Sequence, residues 1–275
     1  HLVERLLREK FQVTVLDNFS TSRPQNLAHM SQNAGLQTHR VDIADLDAIQ
    51  DFFFQVDCVF HLAGLADIVP SIQRPLEYHR SNVDGTASVV EAARKAGVQR
   101  LIYTASSSCY GIATELPTTE HAPIATEYPY ALSKYQGEEA VLHWGRLYNL
   151  PVVSIRIFNA YGPRSRTSGA YGAVFGVFLA QKLAEKPFTV VGDGTQTRDF
   201  VFVTDLARAF FQAAESRRHQ EIYNVGAGRP QSVNRLVELL GGEVSYLPKR
   251  PGEPDCTWAD ITKIHADLDW EPRVS

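Results

Sequence analysis

Tyr130 and Lys134 stand four residues apart, a spacing that sets them one above the other on one face of a helix. An ammonium beside a phenol favours the phenolate and draws its pKa down from about 10 toward the working range of a general base. Ser106 lies within the hydroxyl run Thr104 to Ser108, just after the apolar Leu101, Ile102 and Tyr103 that read as a buried strand. From the carboxyl end of that strand its hydroxyl can bond both a phenol and a substrate alcohol. A Tyr–Lys–Ser set of this kind takes a proton off an alcohol. The same spacing also suits an exposed Tyr and Lys on a solvated helix, so the reading depends on the elements around it.

Those elements alternate. After an amphipathic helical start (Leu2, Val3, Leu6 and Leu7 on one face), Gln12 to Leu16 forms a short strand ending in Asp17. A strand ending in an acid after one helix is the second strand of a dinucleotide-binding βαβ unit, where the carboxylate accepts from the ribose hydroxyls. Counting back about 20 residues from Asp17 puts the Gly-rich phosphate loop before His1. With Met30 its only methionine, and a far end that stops at Trp270 to Ser275, the sequence reads as a piece trimmed at both ends.

A third strand, Leu36 to Val41, leads to Asp42-Ile43, and Asp45 caps a helix expected to run to about Phe54. The strand Asp57 to Leu62 opens onto Ala63-Gly64-Leu65-Ala66, small residues that let backbone approach a ligand. His61 inside that run reads as a hydrogen-bonded core histidine. One long helix is expected from Tyr78 to Ala96, carrying Asn82 and Gly85, then the Leu101 strand and the Tyr130 helix. The strand Pro151 to Ile157 ends at Phe158-Asn159. This alternation predicts an α/β fold with a doubly wound parallel sheet, whose ligands lie across the carboxyl ends of the strands. Asp17, Asp42, Ala63-Gly64, Ser106 and Asn159 all fall at such ends.

From Tyr161 onward, Gly and Pro break the chain into shorter pieces. A helix is expected near Phe178 to Glu185, a strand at Phe188 to Val191, and returns to the main sheet at Phe200 to Val203 and Ile222 to Val225. A helix capped at Thr204 and ending near Glu215 joins the two returns. The expected division is a dinucleotide-binding domain over 1–161, with returning segments 195–225, and a smaller mixed α/β substrate lobe from 162–194 and 226–275.

Composition narrows the function. A net charge of −4 without a basic run disfavours nucleic acid and anionic membranes as partners, and no apolar run reaches the roughly 18 residues of a membrane span. Cys58, Cys109 and Cys256 read as reduced thiols of a cytoplasmic protein. The nine His show no ligand spacing, so no metal is expected.

Taken together, the phrases along the chain are those of a known group. They are Leu16-Asp17-Asn18-Phe19-Ser20-Thr21, His61-Leu62-Ala63-Gly64, Asn82-Val83-Asp84-Gly85-Thr86, Ser106 with Tyr110-Gly111, and Tyr130-Ala131-Leu132-Ser133-Lys134. Further on come Arg156 to Arg164, Gly192 to Phe200, Arg250-Pro251-Gly252-Glu253 and Trp258-Ala259-Asp260. In this order, over essentially the whole chain, they resemble the extended short-chain dehydrogenase/reductases, specifically the nucleotide-sugar epimerases and dehydratases. The resemblance implies a Rossmann fold and a tightly held NAD. Asp17, Asn18, Phe19, Ser20, Thr21 and Ser22 would hold the adenosine ribose and Asp42-Ile43 the adenine. Leu62, Ala63, Gly64 and Ala66 would line the dinucleotide, with Asn82, Tyr130, Lys134 and Phe158 also near it. An acid at Asp17 fits NAD better than NADP, since it repels a 2′-phosphate. By the same resemblance Arg198 and Arg250 would clamp the sugar-nucleotide diphosphate, Asn159 would bond its phosphate side, and Val174 and Thr257 would border the base and the sugar.

The activity so implied is oxidation at carbon 4 of a nucleotide-diphosphate sugar, with Tyr130 as base, Ser106 orienting the hydroxyl and Lys134 supporting Tyr130. Dehydratases of the group typically carry Asp-Glu before the Tyr-Gly, and decarboxylases often a Glu. Here Ser107-Ser108-Cys109-Tyr110 has no carboxylate, which favours 4-epimerisation, an isomerase activity, for sugar-nucleotide or cell-surface polysaccharide biosynthesis. The alternatives are a dehydratase, decarboxylase or 4-keto reductase of the same group, and, from another class, a non-catalytic NAD-binding module. Thr257, where a bulky aromatic would exclude an N-acetyl group, leaves UDP-hexose and UDP-N-acetylhexosamine both admissible. A homodimer is expected, through the helices Tyr78 to Ala96 and Tyr128 to Tyr148.

Overall fold

The computed structural model describes residues 1–165, 174–249 and 253–274. Helix α1 (Leu2–Arg8) leads into β1 (Val13–Asp17), which pairs in parallel with β2 (Leu36–Arg40). Helix α2 (Leu46–Ile49) starts at Asp45, whose carboxylate accepts from the Ala48 amide, and tightens into a 3-10 turn through Phe53. Then follow β3 (Cys58–His61), α3 (Ile68–Gln73), α4 (Pro75–His79), α5 (Gly85–Ala96), β4 (Arg100–Ser106), α6 (Pro129–Tyr148) and β5 (Val152–Ile157). The second half holds β6 (Asn159–Tyr161), α7 (Val174–Leu183), β7 (Phe188–Val191), β8 (Thr197–Arg198), β9 (Phe200–Phe202), α8 (Val203–Glu215) and β10 (Glu221–Val225). It closes with β11 (Gln231–Ser232), α9 (Val233–Leu240), β12 (Val244–Leu247) and α10 (Thr262–Leu268).

Four strands form the central sheet in the order β10-β5-β4-β3, every neighbour parallel. Alternate residues of a strand face opposite sides, and β4 shows what that does here. Its Leu101, Tyr103 and Ala105 pack with Val89 and Val90 of α5 and Val141 and Leu142 of α6. Ile102 turns to the other face, where Leu206 and Phe210 of α8, Ile264 and Leu268 of α10 and Trp270 close the second core. Helices therefore cover both faces, as a parallel sheet with two apolar sides requires. A third, smaller cluster joins α7, β7 and α9, with the Phe178 ring stacked on Phe188 at 5.0 Å.

The β1–β2 pair is not hydrogen-bonded to the central sheet. Residues of β1 and β3 line a common cavity of about 1330 Å³, with Val13, Val15, Val59 and Phe60 on its walls. Among the described residues, no helix is long and apolar enough to cross a membrane.

The structure corrects four expectations. The long helix expected from Tyr78 to Ala96 is continuous but not regular: α4 passes through one wide π-turn, Arg80–Asp84, before α5 begins. The separate helix α3, with Asp67 at its N-terminal boundary, precedes it and is not expected from the sequence. Phe200–Phe202 does not return to the main sheet but pairs with Asn159–Tyr161 in a ladder of its own, whereas Glu221–Val225 does join it, on β5. Thr204 is not a cap: α8 starts one residue earlier, with Phe202 at its N-cap and no side-chain bond there. The helix expected at Phe178 to Glu185 runs instead over Val174–Leu183, because Phe178 and its neighbours close the third cluster from its middle.

One contact sets the distance between α6 and the sheet. A Cβ on Gly137 would lie 2.4 Å from the Tyr103 hydroxyl and 2.7 Å from the Asn82 carbonyl oxygen. In an open helix Gly→Ala gains about 1 kcal/mol. At this position the sign reverses: Gly137→Ala is expected to cost about 1–3 kcal/mol by overpacking, read as a lowered urea midpoint. A stabilised variant would mean that α6 does not press on β4 as described.

Candidate active site

Ser106 ends β4 and caps the 3-10 turn Ser107–Tyr110, accepting from the Ser108 amide at 3.2 Å. The Ser108 hydroxyl reaches Ser106 Oγ at 2.9 Å. Tyr130 enters from the first turn of α6, which opens on Pro129, a residue suited to that position. The Ser106 hydroxyl pulls the pKa of the Tyr130 phenol down, but burial outweighs this and the net shift is upward. The structure thus differs from the sequence expectation of a phenol lowered by its neighbouring ammonium. The Lys134 ammonium turns inward over the face of Tyr103, 4.5 Å from its ring centre, while the Tyr103 hydroxyl donates to the Lys134 carbonyl at 3.1 Å. Lys134 is 7% exposed, and burial lowers it to about 8, against the opposing pull of Glu138.

Aromatic rings surround the phenol. Tyr128 lies parallel to Tyr130 with centroids 6.5 Å apart, and Tyr78 meets it edge-on at 6.4 Å. The Tyr78 hydroxyl in turn donates to the Ala66 carbonyl, tying α4 to the segment after β3. Neither tyrosine was among the residues singled out from the sequence. Tyr128 was within reach as a neighbour of Tyr130, but nothing in the spacing tied Tyr78 to a site some fifty residues on.

The residues expected at a dinucleotide divide into two groups. Asp17, Asn18, Ser20, Thr21, Ser22, Asp42, Ile43, Leu62, Ala63 and Gly64 all line the large cavity. Asp17 accepts from the Phe19 amide at 2.7 Å on one oxygen and from the Ser22 hydroxyl at 2.8 Å on the other. Each oxygen keeps a second lone pair for a ligand hydroxyl. Phe19 takes a left-handed φ of 56° to make this turn. For Asp42, burial pushes the carboxyl up, but the Ala44 amide and the Arg80 guanidinium at 2.6 Å prevail and the net shift is down.

Asn82 stands behind this lining. Its amide oxygen accepts from the Leu65 amide at 2.7 Å, and its nitrogen donates to the Leu65 carbonyl and the Ser133 hydroxyl. A Cβ on Gly64 would meet that oxygen at 2.8 Å, so Asn82 holds the Gly64 backbone down and leaves room above it. Phe158 is 8% exposed and packs with Cys109, Tyr110 and Ala259, within a core cluster and not on the cavity wall. His61 is buried as expected, its Nε2 2.9 Å from the Thr86 hydroxyl, and burial drives it to about 3.

On the other side of Tyr130 lie the residues expected at a substrate. Arg198, 8% exposed, donates to Glu253 at 2.8 Å and to the Thr197 carbonyl. Both Arg198 and Glu253 act electrostatically on Tyr128. The Thr257 hydroxyl donates to Asn159 Oδ1 at 2.9 Å and accepts from the Asp199 amide at 3.2 Å. The buried Asp199 carboxylate takes the amides of Ala227, Gly228 and Ala259, joining the ends of β9 and β10 to the Thr257 segment. Val174 packs into the third cluster beside Phe178 and Phe188. Arg250 lies outside the described residues. The arrangement sets the phenol of the first turn of α6 beside the hydroxyl that ends β4, while the large cavity is lined by the neighbouring strand-end segments and not by Ser106, Tyr130 or Lys134 themselves.

Comparison with known proteins shows which family this chain resembles. The model of the NAD-dependent epimerase/dehydratase family matches residues 1–226. The UDP-glucose 4-epimerase of Mycolicibacterium smegmatis is 33% identical over 282 residues, covering 100% of this chain and 90% of the relative. The crystal structure of UDP-glucose 4-epimerase from Thermotoga maritima with UDP-glucose superposes with a TM-score of 0.93 at 31% identity, covering 100% of this chain and 90% of that one. UDP-glucuronic acid decarboxylase 2 of Arabidopsis thaliana is 32% identical, covering 100% of this chain and 62% of the relative.

The burial of Lys134 has a consequence for stability. A lysine with pKa about 8 in the folded chain and about 10.4 unfolded binds more protons when unfolded across that window. Stability from this group therefore rises as pH climbs from about 8 to about 10.4, and below 8 its burial works against the fold. Relative to the natural chain, Lys134→Met is expected to be most stabilised near pH 7 and to lose that advantage toward pH 10. Urea unfolding of both at several pH values reads it, and a difference independent of pH would contradict the burial.

Proposed function

We propose that this chain, which belongs to the NAD-dependent epimerase/dehydratase family, epimerises a nucleotide-diphosphate sugar at carbon 4. The family to which it belongs acts on nucleotide sugars and depends on NAD, and its members include epimerases, dehydratases and decarboxylases. The residues facing the large cavity suit that cofactor. The Asp17 oxygens keep lone pairs for ribose hydroxyls and carry a charge that disfavours a 2′-phosphate, and the Gly64 backbone lies open above Asn82. Asp17 to Ser22, Asp42-Ile43 and Leu62 to Gly64 would hold it, Lys134 lying behind Tyr130. When bound, NAD accepts a hydride from the sugar and returns it.

Tyr130 takes the proton of the 4-hydroxyl as that hydride leaves carbon 4, and Ser106 fixes the hydroxyl between them. The rings of Tyr78 and Tyr128 flank the phenol. With the ketone formed, Tyr130 holds the proton it must give back, and rotation of the keto sugar presents the opposite face. Arg198 would anchor the diphosphate throughout, exchanging its present partner Glu253 for the more highly charged group, while Asn159 would bond the phosphate side and Thr257 would border the sugar. Arg250 would join Arg198. We read segments 1–161 and 195–225 as the cofactor-binding part and 162–194 and 226–275 as the substrate lobe.

The observation that carries epimerisation over elimination is the turn after Ser106. It reads Ser107-Ser108-Cys109-Tyr110 and brings no carboxylate beside Tyr130. Among the described residues, most acidic side chains of this region are held elsewhere: Glu138 on Arg156, Glu120 on the Asn224 amide, Asp199 on three amides and Glu253 on Arg198, while Glu127 next to Tyr128 is exposed. A 4-keto sugar would then lack the acid and base that loss of a hydroxyl needs. We further propose a homodimer through α5 and α6, whose outer face leaves Leu132, Leu147 and Tyr148 exposed; sedimentation at micromolar concentration as a monomer would exclude it.

Incubating the full-length protein with UDP-glucose and following carbon 4 by proton NMR is expected to give UDP-galactose, with no 4-keto-6-deoxy product. Tyr130→Phe is expected to lower kcat by about 10²–10⁴-fold. Accumulation of a deoxy-keto sugar or of a pentose would instead assign dehydration or decarboxylation. In the same assay, Thr257 is expected to allow N-acetylated sugars to turn over, and their complete inertness beside an active plain hexose would refute that part.

A further inference from the structure

Behind the phenol and the amine lies a buried polar network that the reaction as written does not use. Glu138 follows Lys134 by four residues on the same side of α6 and is 1% exposed. Its carboxylate is gripped by Arg156 of β5, at 3.0 Å from Nε and 2.8 Å from Nη2, and by the Ser154 hydroxyl. The remaining Nη1 of Arg156 donates to the Tyr110 hydroxyl at 2.8 Å, and Tyr110 passes its own proton to Asn224 Oδ1 at 2.8 Å. Asn224 in turn donates to the Thr118 carbonyl. One chain of hydrogen bonds therefore runs from the catalytic helix, through β5, to the last residue of the turn that Ser106 caps.

We propose that Glu138 is a positioning residue for the Tyr130–Lys134 pair: anchored to β5 by Arg156 and Ser154, it fixes the rotation of α6 against the Ser106 turn and supplies the buried negative charge that favours the Lys134 ammonium. Three observations converge on this. The spacing puts Glu138 one helical turn beyond Lys134. Gly137 next to it lets the helix lie so close to β4 that a rotation would drive backbone into Tyr103. Every other group packed around Lys134 is neutral or unhelpful to a cation: Tyr103 of β4 offers its ring face, Asn82 of the π-turn is an amide, and His61 of β3 is kept uncharged by burial and by Lys134 itself. Tyr130, on the same helix, is a phenol held up by burial. Glu138 is the carboxylate that pulls Lys134 upward.

The effect on turnover rests on the reaction proposed above, whereas the effect on the lysine does not. Full-length protein labelled with 13Cε-lysine, with the Lys134 signal assigned by Lys134→Arg, would be titrated by NMR alongside steady-state assays. Because Glu138→Gln leaves Arg156 unpaired and can fail to fold, the pair variant Glu138→Gln/Arg156→Met, which removes both charges together, is measured with it. Expected in each folded variant is a Lys134 titration about one pH unit lower, together with a kcat reduced about tenfold, an unchanged KM, and an alkaline limb of the kcat profile displaced by the same interval. A Lys134 titration unchanged in a folded pair variant would overturn the proposal and leave Glu138 a merely structural partner of Arg156. If the natural protein transforms no nucleotide sugar yet the titration moves, the function proposed above fails and the electrostatic role of Glu138 stands.

Discussion

The close seating of α6 on β4 is the constraint from which the rest of this molecule follows. At Gly137 the helix has no side chain to hold it off, and Tyr103 answers by donating its hydroxyl to the Lys134 carbonyl. With the helix this low, Lys134 has nowhere to go but inward across the Tyr103 ring, and Tyr130 must stand at the tip of the strand that ends in Ser106. Ser133 meets Asn82 on the same account. A helix riding a side chain higher would keep every residue of the motif and lose the alignment among them.

Close seating has an electrostatic cost, and the site is organised around it. The Tyr130 phenol and the Lys134 ammonium of α6 and the His61 imidazole of β3 are all partly or wholly buried, and burial opposes the charged form of each. The imidazole simply stays neutral. Lys134 retains its proton with the help of a carboxylate, and the phenol is relieved by the Ser106 hydroxyl alone. Among the described residues, Glu138 is paired with Arg156 and Asp205 with Arg208, whereas the buried Asp199 is held by three backbone amides and Arg100 by the Ala213 carbonyl and the Ser216 hydroxyl. Such pairing is what a low-dielectric interior demands.

Much of this was legible in the sequence because it is local. The strand-end acids, the small residues after His61 and the Tyr130–Lys134 interval are short-range patterns, and the β4 alternation that divides two cores is visible in Leu101 to Ala105. What escaped depends on partners distant along the chain. Glu138 sits at a helical interval from Lys134, but its meaning comes from Arg156, eighteen residues on. Phe158 follows a strand end and so reads as a wall of the cleft, yet packing with Tyr110 and Ala259 takes it inside. Phe200–Phe202 looks like a core strand by composition alone, and only the position of Asn159–Tyr161 shows which edge it joins. The inward turn of the Lys134 ammonium follows from tertiary packing, which no periodicity encodes.

The π-turn at Arg80–Asp84 carries a consequence of its own. The widened turn lets the Gly85 amide reach back to the Arg80 carbonyl, and the Thr86 hydroxyl donates to the Asn82 carbonyl at 2.7 Å. It also adds about 100° of winding between α4 and α5, since each residue of a helix contributes that angle. Excising a single residue there would yield a smoother, continuous rod, but with its two halves out of phase. Either Val89 and Val90 would leave the sheet or Tyr78 would swing away from the phenol. The irregularity works as a phase adjuster, letting one stretch of helix serve two surfaces whose orientations a regular spiral could not satisfy together.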